Sequence, residues 1–463
     1  MIRNTLIALI AIIVWAACDS AMAERPNVIL VMCDDLGYGD LSCFRPDTPI
    51  ETPNLTLMCE AGLKFNRFYA AAPVCSPTRG SCLTGRHPYR YGIYSANVGH
   101  LPKDEITLPE LLKQQGYRTG HFGKWHLGTL TQTVRDSNRG GPKGAPHFSP
   151  PRWHGYDDSF VTEAKVPTYD PMIKPLKAPR TAWDSLGGND ERESFGTRYW
   201  NHAGEVVTEN TQGDDSRIIM DRAIPFIEAS VSSEQPFFAA IWFHAPHLPV
   251  VASEKHRERY QDSNVYERNY YGCVTALDDQ MGRLRESLEK LGVSDNTMLW
   301  FCSDNGPEGS ANKAPGSAGE LRGRKRSLYE GGVRVPGILV WPEKIKGGRQ
   351  TDFPAVTSDY LPTVLDAIGI DIPNEVELDG QSLMDVIDGQ SITRTKPIGF
   401  RSAKQIAWHQ GDEKVYSGDS GKTWELYNLK ADPGETNDLA DSKPDRMKEL
   451  VRDAKQWSSG LKK

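Results

Sequence analysis

The stretch Asn27-Val28-Ile29-Leu30-Val31-Met32, followed closely by Asp34-Asp35, decides the fold class. An unbroken apolar run of this length indicates a strand that is buried on both faces of a mainly parallel sheet. Sheets of that kind bind ligands at the carboxyl ends of their strands, which is where Asp34 and Asp35 stand. Taken alone, the two carboxylates also fit an N-cap and turn pair at the end of a strand.

A second apolar run repeats this arrangement far along the chain. Residues 296–303 end at Asp304-Asn305-Gly306, so two predicted strands place oxygen ligands at their carboxyl ends. On neighbouring strands these groups complete a cation site, and oxygen ligands favour Ca²⁺ or Mg²⁺ over zinc. The repetition favours a metal site over the turn interpretation, with four candidate ligands: Asp34, Asp35, Asp304 and Asn305.

The segments around these runs alternate between predicted helices and strands. Residues 53–62 fit a helix with Thr52 as N-cap, Pro53 in the first turn and Gly62 as the stop. The remaining predicted elements are helices at 107–116, 216–229, 273–291 and 354–368 and strands at 117–122 and 236–243. This alternation predicts an α/β fold in which helices sandwich a large mixed, mostly parallel sheet.

A smaller piece is predicted after a boundary near residue 375. It has strand-like segments at 405–408, 414–416 and 424–429 and a closing helix at 443–459. We therefore expect a catalytic domain over residues 24–375 and a subdomain of antiparallel sheet plus helix over residues 376–463.

The first 23 residues have the pattern of a secretory signal peptide. Arg3 is the basic residue, an apolar run follows, and Ala21-Met22-Ala23 fits a cleavage site. A lipoprotein signal ending at Cys18 is the weaker alternative, because Trp15 stands where that signal prefers an aliphatic residue. The pattern predicts a secreted or periplasmic protein, and no other segment is apolar enough to span a membrane.

Charge and cysteine content limit the function further. The net charge is −7, which argues against a general nucleic-acid binder, so an anionic substrate needs a local basic pocket. An oxidising compartment permits disulfides among the eight cysteines, although Cys33 and Cys302 fit buried free thiols inside strands.

The stretch Cys75-Ser76-Pro77-Thr78-Arg79-Gly80 is the strongest candidate for chemistry. A tyrosine-phosphatase loop requires Arg six residues after its Cys, and Ser81 occupies that position. Pro77 suits the first turn of a helix, so Cys75 is predicted at a helix N-terminus, where free amides favour an anion. The alternative is a buried structural cysteine beside a turn.

Together with Leu83-Thr84-Gly85-Arg86, this stretch resembles the signature of the type I, formylglycine-dependent sulfatases of the alkaline phosphatase superfamily. Gly123-Lys124-Trp125-His126-Leu127-Gly128 resembles the second signature of that family. Two further blocks match as well. They are His247, which one residue separates from Pro249, and Lys325, which lies four residues before Tyr329-Glu330-Gly331-Gly332. The resemblance runs from Asn27 to about Asp438 and is to the arylsulfatase and N-acetylgalactosamine-6-sulfatase type.

The resemblance implies an alkaline phosphatase-like fold and a specific cofactor. A formylglycine-generating or sulfatase-maturating enzyme oxidises Cys75 to an aldehyde, formylglycine, whose hydrate attacks the sulfur of a sulfate ester. The modified Cys75 then joins the four oxygen ligands around one divalent ion, with Ca²⁺ ahead of Mg²⁺.

The resemblance also implies roles for the basic residues. Arg79, Lys124, His247 and Lys325 stabilise negative charge on the sulfuryl oxygens, and His247, together with Lys325, is the candidate acid. His126 holds the second hydroxyl of the hydrate, whose deprotonation releases sulfate. The expected substrate is an aryl or carbohydrate sulfate, with a pocket drawn from residues 131–213, chiefly 160–171 and 198–201.

Two other functions fit the same residues. One is a phosphate or phosphonate ester hydrolase of the same superfamily, which a second metal site would favour. The other is a catalytically silent protein that binds sulfated glycans. Arg322, Arg324 and Arg326 match no family position, so they are expected on a solvated face.

Overall fold

The apolar run at Asn27 forms the fully buried strand β1 (Asn27–Cys33) at the centre of the main sheet. The computed structural model describes residues 25–177, 183–184, 193–311 and 313–461, so the predicted signal peptide and Cys18 lie outside the described residues. Within them, the main sheet has 11 strands. Besides β1 these are β2 (Leu63–Tyr69), β3 (Arg118–Lys124), β4 (Asp158–Thr162), β7 (Tyr199–Asn201), β8 (Val206–Val207), β9 (Phe237–Trp242), β10 (Thr297–Ser303), β11 (Arg334–Val340), β12 (Arg349–Thr351) and β13 (Ala355–Val356), while β5 (Leu176–Lys177) and β6 (Trp183–Asp184) form a separate ribbon.

The strand order is β12-β2-β11-β10-β1-β9-β3-β4-β7-β8, with β13 also paired to β2. The five central strands, from β10 to β4, run parallel to one another. Antiparallel pairs occur on both sides of them, at β10–β11, β11–β2, β4–β7 and β7–β8. The prediction of a mixed, mostly parallel sheet is confirmed, and the parallel centre brings five carboxyl ends to one edge.

Two hydrophobic cores cover the two faces of this sheet. Alternate residues of β1 contribute to each: Val28 and Leu30 to one core, Ile29 and Val31 to the other. The first core holds the helices Cys75–Thr84, Leu108–Gln114, Tyr360–Ala367 and Met384–Ile387. The second holds the helices Pro53–Ala61, Asp215–Ser232 and Val265–Lys290.

Two predicted helices have different bounds in the structure. The helix expected at 273–291 is Val265–Lys290 and starts at an Asn264 N-cap, whose side chain accepts from two backbone amides while Glu267 bonds back to the Asn264 amide. The helix expected at 354–368 is Tyr360–Ala367. Its first part is instead strand β13, because Ala355 and Val356 pair with the end of β2.

The second sheet is antiparallel and has the strands β14 (Ile398–Ser402), β15 (Gln405–Gln410), β16 (Glu413–Ser417) and β17 (Glu425–Asn428). The helix Pro444–Gly460 packs on it through Leu450 and Ala454. This confirms the small sheet plus helix, although β14 was not predicted. The domain boundary near residue 375 stays a prediction; Leu383 and Val386 pack in the main core.

A buried ionic cluster joins the two sheets. Lys414 on β16 has its Nζ 3.1 Å from Glu330 Oε1 and 2.8 Å from Glu435 Oε1, and all three side chains are fully buried. Tyr69 at the end of β2 donates a hydrogen bond to Glu330 Oε2 at 2.9 Å. The cluster therefore holds the second sheet against the main one by specific contacts as well as by apolar packing.

Two sequence expectations concern the cysteines and the membrane. The seven cysteines in the described ranges are free thiols, and Cys33 and Cys302 are buried as expected. Among the residues that the structure describes, no helix combines the length and the apolar character that a membrane crossing requires.

Candidate active site

The carboxyl ends of β1 and β10 bring four oxygen-bearing side chains together. The strands are parallel neighbours with Cys33 opposite Ser303, so Asp34-Asp35 and Asp304-Asn305 leave the sheet at the same level. The Asp35 amide donates to Asp304 Oδ1 at 3.2 Å, and Asn305 Nδ2 donates to Asp35 Oδ1 at 2.8 Å. All four residues are buried.

Cys75 is the first residue of the helix Cys75–Thr84, with Val74 as N-cap. Its Sγ and one carboxylate oxygen each of Asp34 and Asp304 lie within 4.8 Å of one another. Burial raises the pKa of the Cys75 thiol despite the nearby ammonium groups of Lys124 and Lys325. Burial therefore favours the thiol, which is a poor nucleophile by comparison with a thiolate.

Arg79 lies one turn into the same helix and is fully buried. Its Nε and Nη2 donate to Asp304 Oδ2 at 3.0 Å and 2.6 Å, and Nη2 is 3.7 Å from Asp34 Oδ1. The family resemblance implies that Arg79 stabilises negative charge on the sulfuryl oxygens. In the structure its contacts are to the carboxylates beside Cys75, which it orients.

Two lysines contact the remaining carboxylates. Lys124 ends β3 and places Nζ 2.5 Å from Asp34 Oδ2, while Lys325 Nζ is 2.5 Å and 2.7 Å from the two oxygens of Asp35. Burial alone would raise the pKa of Asp34, but Lys124, then His247 and Arg79, hold it well below its usual range. Burial opposes the charge of Lys325, yet Asp35 keeps its pKa above the usual value.

The cluster has the donor atoms that a hard divalent cation needs. Asp34 Oδ1 and Asn305 Oδ1 are buried and accept no hydrogen bond. Burying an oxygen atom without a hydrogen-bond partner costs free energy. The cluster is also short of positive charge, because burial together with the charge of Asp34 raises the pKa of Asp304 to about 7. Carboxylate and amide oxygens in this arrangement fit Ca²⁺ or Mg²⁺.

Two histidines follow strand β9 and have different surroundings. His247 Nδ1 donates to the Leu248 carbonyl at 2.6 Å, which leaves Nε2 3.6 Å from Asp35 Oδ2. Burial lowers the pKa of His247 to about 4, with Lys325 and Lys124 adding to the effect against the pull of the carboxylates. His244 is buried between Thr162 and Asp215 and contacts both side chains.

Asn97 is a site residue that sequence reasoning missed. Its Oδ1 accepts hydrogen bonds from His126 Nε2 at 3.0 Å and from Asn138 Nδ2 at 3.2 Å. The proton of neutral His126 is thus on Nε2, and Nδ1 is a buried acceptor with no partner. Asn97 belongs to no motif, and only its left-handed backbone (φ 62°) distinguishes it.

A cavity of about 700 Å³ opens above these groups. Five predicted catalytic residues line it: Cys75, Lys124, His126, His247 and Lys325. The rest of the lining comes from several loops and includes Ser95, Asn97, Asn138, Lys165, Glu308, Arg326, Ser402 and Gln405. Arg326 has an exposed side chain as expected, but it also borders the cavity.

The pocket prediction for residues 131–213 was only partly right. Asn138, Ala164 and Lys165 line the cavity, but the segment 198–201 does not. Residues Tyr199–Asn201 are strand β7, which pairs with β4 near the β8 edge of the main sheet. Ser402 and Gln405 come from the second sheet, which sequence reasoning had not connected with the pocket.

Comparison with known proteins identifies the family. The family model described as Sulfatase matches residues 26–370. The chain belongs to the sulfatase family. It is 31% identical to human N-acetylgalactosamine-6-sulfatase over 435 residues, covering 90% of this chain and 76% of that protein. It is 33% identical to human arylsulfatase A over 392 residues, covering 83% and 72%.

A solved structure supports the same assignment for this sulfatase. The crystal structure of Ps i-CgsB in complex with k-i-k-neocarrahexaose has a TM-score of 0.79 and 26% identity, covering 94% of this chain and 93% of that one. The chain is therefore a sulfuric ester hydrolase with the fold of that family. The sequence prediction of sulfate ester hydrolysis is confirmed. It is favoured over the two alternatives, a phosphate or phosphonate ester hydrolase and a catalytically silent protein that binds sulfated glycans.

Proposed function

We propose that this sulfatase acts through a formylglycine made from Cys75, beside one divalent cation held by Asp34, Asp35, Asp304 and Asn305. The observation that carries the proposal is the position of the Cys75 Sγ within 4.8 Å of carboxylate oxygens of Asp34 and Asp304. The raised pKa of the Cys75 thiol argues against direct attack by sulfur. Ca²⁺ fits the oxygen donors, with Mg²⁺ as the alternative.

The two groups that the chain must acquire supply distinct chemistry. Formylglycine as its hydrate supplies one hydroxyl to attack sulfur and a second whose deprotonation lets sulfate leave. The cation supplies Lewis-acid stabilisation of the negative charge that develops on the sulfuryl oxygens. Lys124 and Lys325 border the cavity as further positive groups, and a preorganised donor of this kind contributes about 3 kcal/mol to transition-state stabilisation.

His126 is our candidate to hold and deprotonate the second hydroxyl. Its Nδ1 is an acceptor because Asn97 fixes the proton on Nε2. A group of this kind must be within hydrogen-bond reach of the proton that it removes, and His126 lines the cavity together with Cys75.

His247 and Lys325 are the candidate acids for the departing alcohol. Lys325 keeps its proton because Asp35 holds its pKa above the usual value. The pKa of His247 is about 4 without substrate. A bound sulfate ester adds negative charge beside Nε2 and raises that pKa, which favours the protonated form that an acid requires.

A sulfated carbohydrate is the proposed substrate. The cavity of about 700 Å³ has room for a sugar, and its walls carry amide, hydroxyl and charged groups. Two similar proteins point the same way: an N-acetylgalactosamine-6-sulfatase and a structure in complex with k-i-k-neocarrahexaose.

Secretion and maturation complete the proposal. A signal peptide at residues 1–23 would take the chain out of the cytoplasm to the periplasm or the exterior. Cys75 is 2% exposed in the folded protein, so a formylglycine-generating or sulfatase-maturating enzyme must act before the chain folds.

The test is the mass of the tryptic peptide from Phe68 to Arg79, which contains Cys75. In active enzyme we expect the mass of an aldehyde in place of the CH₂SH group, and a Cys75→Ala variant should not turn over an aryl sulfate. Full activity with an unmodified thiol, or with Cys75→Ala, would refute the mechanism.

A further inference from the structure

Lys165 carries the one cationic side chain of the described cavity lining that has no carboxylate partner. Four lysine and arginine residues line the cavity: Lys124, Lys165, Lys325 and Arg326. Lys124 is paired with Asp34 and Lys325 with Asp35, each at 2.5 Å. Arg326 is bonded to both oxygens of Glu308, at 2.6 Å and 2.8 Å. Within the described ranges, no carboxylate lies within ion-pair distance of Lys165.

The backbone around Lys165 is held in place next to the catalytic residues. Lys165 follows β4, whose neighbour β3 ends at Lys124. The His126 amide donates to the Glu163 carbonyl at 2.9 Å, and Thr197 Oγ1 donates to the Lys165 carbonyl at 3.3 Å. The residue therefore has a fixed position at the functional edge of the sheet.

Among the described residues no carboxylate pairs with the Lys165 ammonium, and the more distant Asp34 and Asp35 only partly offset the groups that lower its pKa. Lys165 is half-buried, and burial, together with the positive charges of Lys124 and Lys325, lowers its pKa. An anion bound next to Lys165 offsets the positive charges of Lys124 and Lys325 and stabilises the charged form of Lys165. The three other cations need no such partner, because each already has a carboxylate.

We propose that Lys165 forms a subsite for a second anionic group of the substrate, a carboxylate or a further sulfate near the sulfate ester that is hydrolysed. The proposal rests on the proposed function in placing the reacting sulfate beside Cys75. Lys124, His247 and Lys325 line the cavity together with Cys75, and Lys165 lines the same cavity from the segment that follows β4. The substrates would then be polyanionic sugars.

The expected kinetic effect is on substrate binding. An ion pair between Lys165 and a non-reacting group is the same in the ground state and the transition state, so its loss raises KM and leaves kcat unchanged. For a hydrogen-bonded charge pair we expect the KM of doubly anionic substrates to rise about tenfold or more.

The experiment compares Lys165→Met with the wild type on three substrate classes. These are an aryl sulfate or monosulfated sugar with a single anion, a disulfated sugar, and a monosulfated sugar linked to a uronic acid. Lys143→Met is the matched control, since Lys143 is exposed and does not line the cavity. Lys165→Arg retains the charge and should restore binding if the loss is due to the missing cation.

We expect Lys165→Met to raise KM for at least one doubly anionic class and to leave KM for the singly anionic class unchanged. Lys143→Met should leave KM unchanged for all three classes. The class affected tells a sulfate from a carboxylate. An equal rise for singly anionic substrates would assign Lys165 to the reacting sulfate and overturn the proposal. Unchanged kinetics with all classes would overturn it as well.

A binding measurement separates this proposal from the proposed function. Calorimetric titration of Cys75→Ala with the same sugars needs no turnover, so it is independent of formylglycine. A loss of affinity for the doubly anionic sugar in Cys75→Ala/Lys165→Met, relative to Cys75→Ala, supports the subsite even if the Cys75 mechanism fails. Equal affinities in the two proteins would refute the subsite even if that mechanism holds.

Discussion

His126 and Asn97 form a pair in which one residue sets the protonation of the other. Removing the Asn97 carboxamide frees His126 to adopt the other tautomer, with its proton on Nδ1. We expect Asn97→Ala to lower kcat about tenfold or more with little change in KM, since general acid–base steps contribute 10²–10⁴-fold. Steady-state kinetics on an aryl sulfate measures this.

Two further variants separate positioning from a structural effect. Asn97→Asp keeps an acceptor for His126 Nε2 and should retain more activity than Asn97→Ala. Asn138→Ala removes only the second donor to Asn97, so its effect should be small. Equal losses of kcat in all three variants would show that the activity depends on the structure of the Asn97 loop and not on the tautomer of His126.

The unpaired oxygens of Asp34 and Asn305 predict a stabilising cation. At concentrations above Kd, a ligand that binds only the native state raises the free energy of unfolding in proportion to the logarithm of the ligand concentration. We expect millimolar Ca²⁺ to raise the Tm of the wild type and to raise that of Asn305→Ala much less. Asn296→Ala, which removes the same side chain at the opposite end of β10, should keep the full Ca²⁺ shift. Identical shifts in both variants would contradict the assignment of Asn305 as a ligand.

At the level of elements, the helix Cys75–Thr84 depends on one small residue. A Cβ at Gly80 would lie 2.6 Å from the Tyr91 hydroxyl, which donates to the Pro77 carbonyl at 3.0 Å and contacts Ser81. Alanine is the better helix former, but the overlap forces the Tyr91 ring away from the helix. The close contact between Gly80 and Tyr91 therefore opposes the gain in helix propensity that alanine would bring at position 80.

We expect Gly80→Ala to lower the free energy of unfolding by about 1–3 kcal/mol, the usual cost of overpacking. Chemical denaturation measures it. Gly460→Ala is the control, because that glycine is also helical and has open space at its Cβ. A Gly80→Ala protein as stable as this control would show that Tyr91 adapts without cost.

At the level of the whole molecule, the buried cluster around Lys414 joins the two sheets. Lys414→Met removes the cation that contacts Glu435 and leaves Glu330 with only the longer ion pair with Arg334, at 3.7 Å. Breaking a buried ion pair from one side costs about 3–5 kcal/mol, whereas an exposed pair contributes at most about 1 kcal/mol. Lys443, which is half-exposed and paired with Glu413 at 3.2 Å, provides the exposed control.

Urea unfolding of Lys414→Met and Lys443→Met should therefore differ by several kcal/mol. Because Ser402 and Gln405 of the second sheet line the cavity, Lys414→Met should also raise KM for carbohydrate sulfates. A destabilisation no larger than that of Lys443→Met would mean that apolar packing alone holds the sheets together.

Local sequence was sufficient for the central strands and the motifs of this protein. The apolar runs at β1, β9 and β10 predicted buried parallel strands because continuous hydrophobicity suits only a strand covered on both faces. The Cys75, Lys124 and Lys325 stretches carried the family signatures as unbroken sequence. The acidic pairs at two strand ends predicted the oxygen cluster, since parallel neighbours end at one edge.

Tertiary structure alone decided what distant segments contribute. Asn97 acquires its surroundings from loops far apart in the chain, so no local pattern marked it. The predicted pocket segment 160–171 contains Lys165, but nothing in the sequence distinguished that residue from its neighbours. Residues 198–201 resembled a pocket loop but became strand β7, because pairing with β4 overrode weak local preference. Ser402 and Gln405 reach the cavity because apolar packing and a buried ionic cluster hold the second sheet beside it, and such long-range contacts are not encoded in any single stretch of sequence.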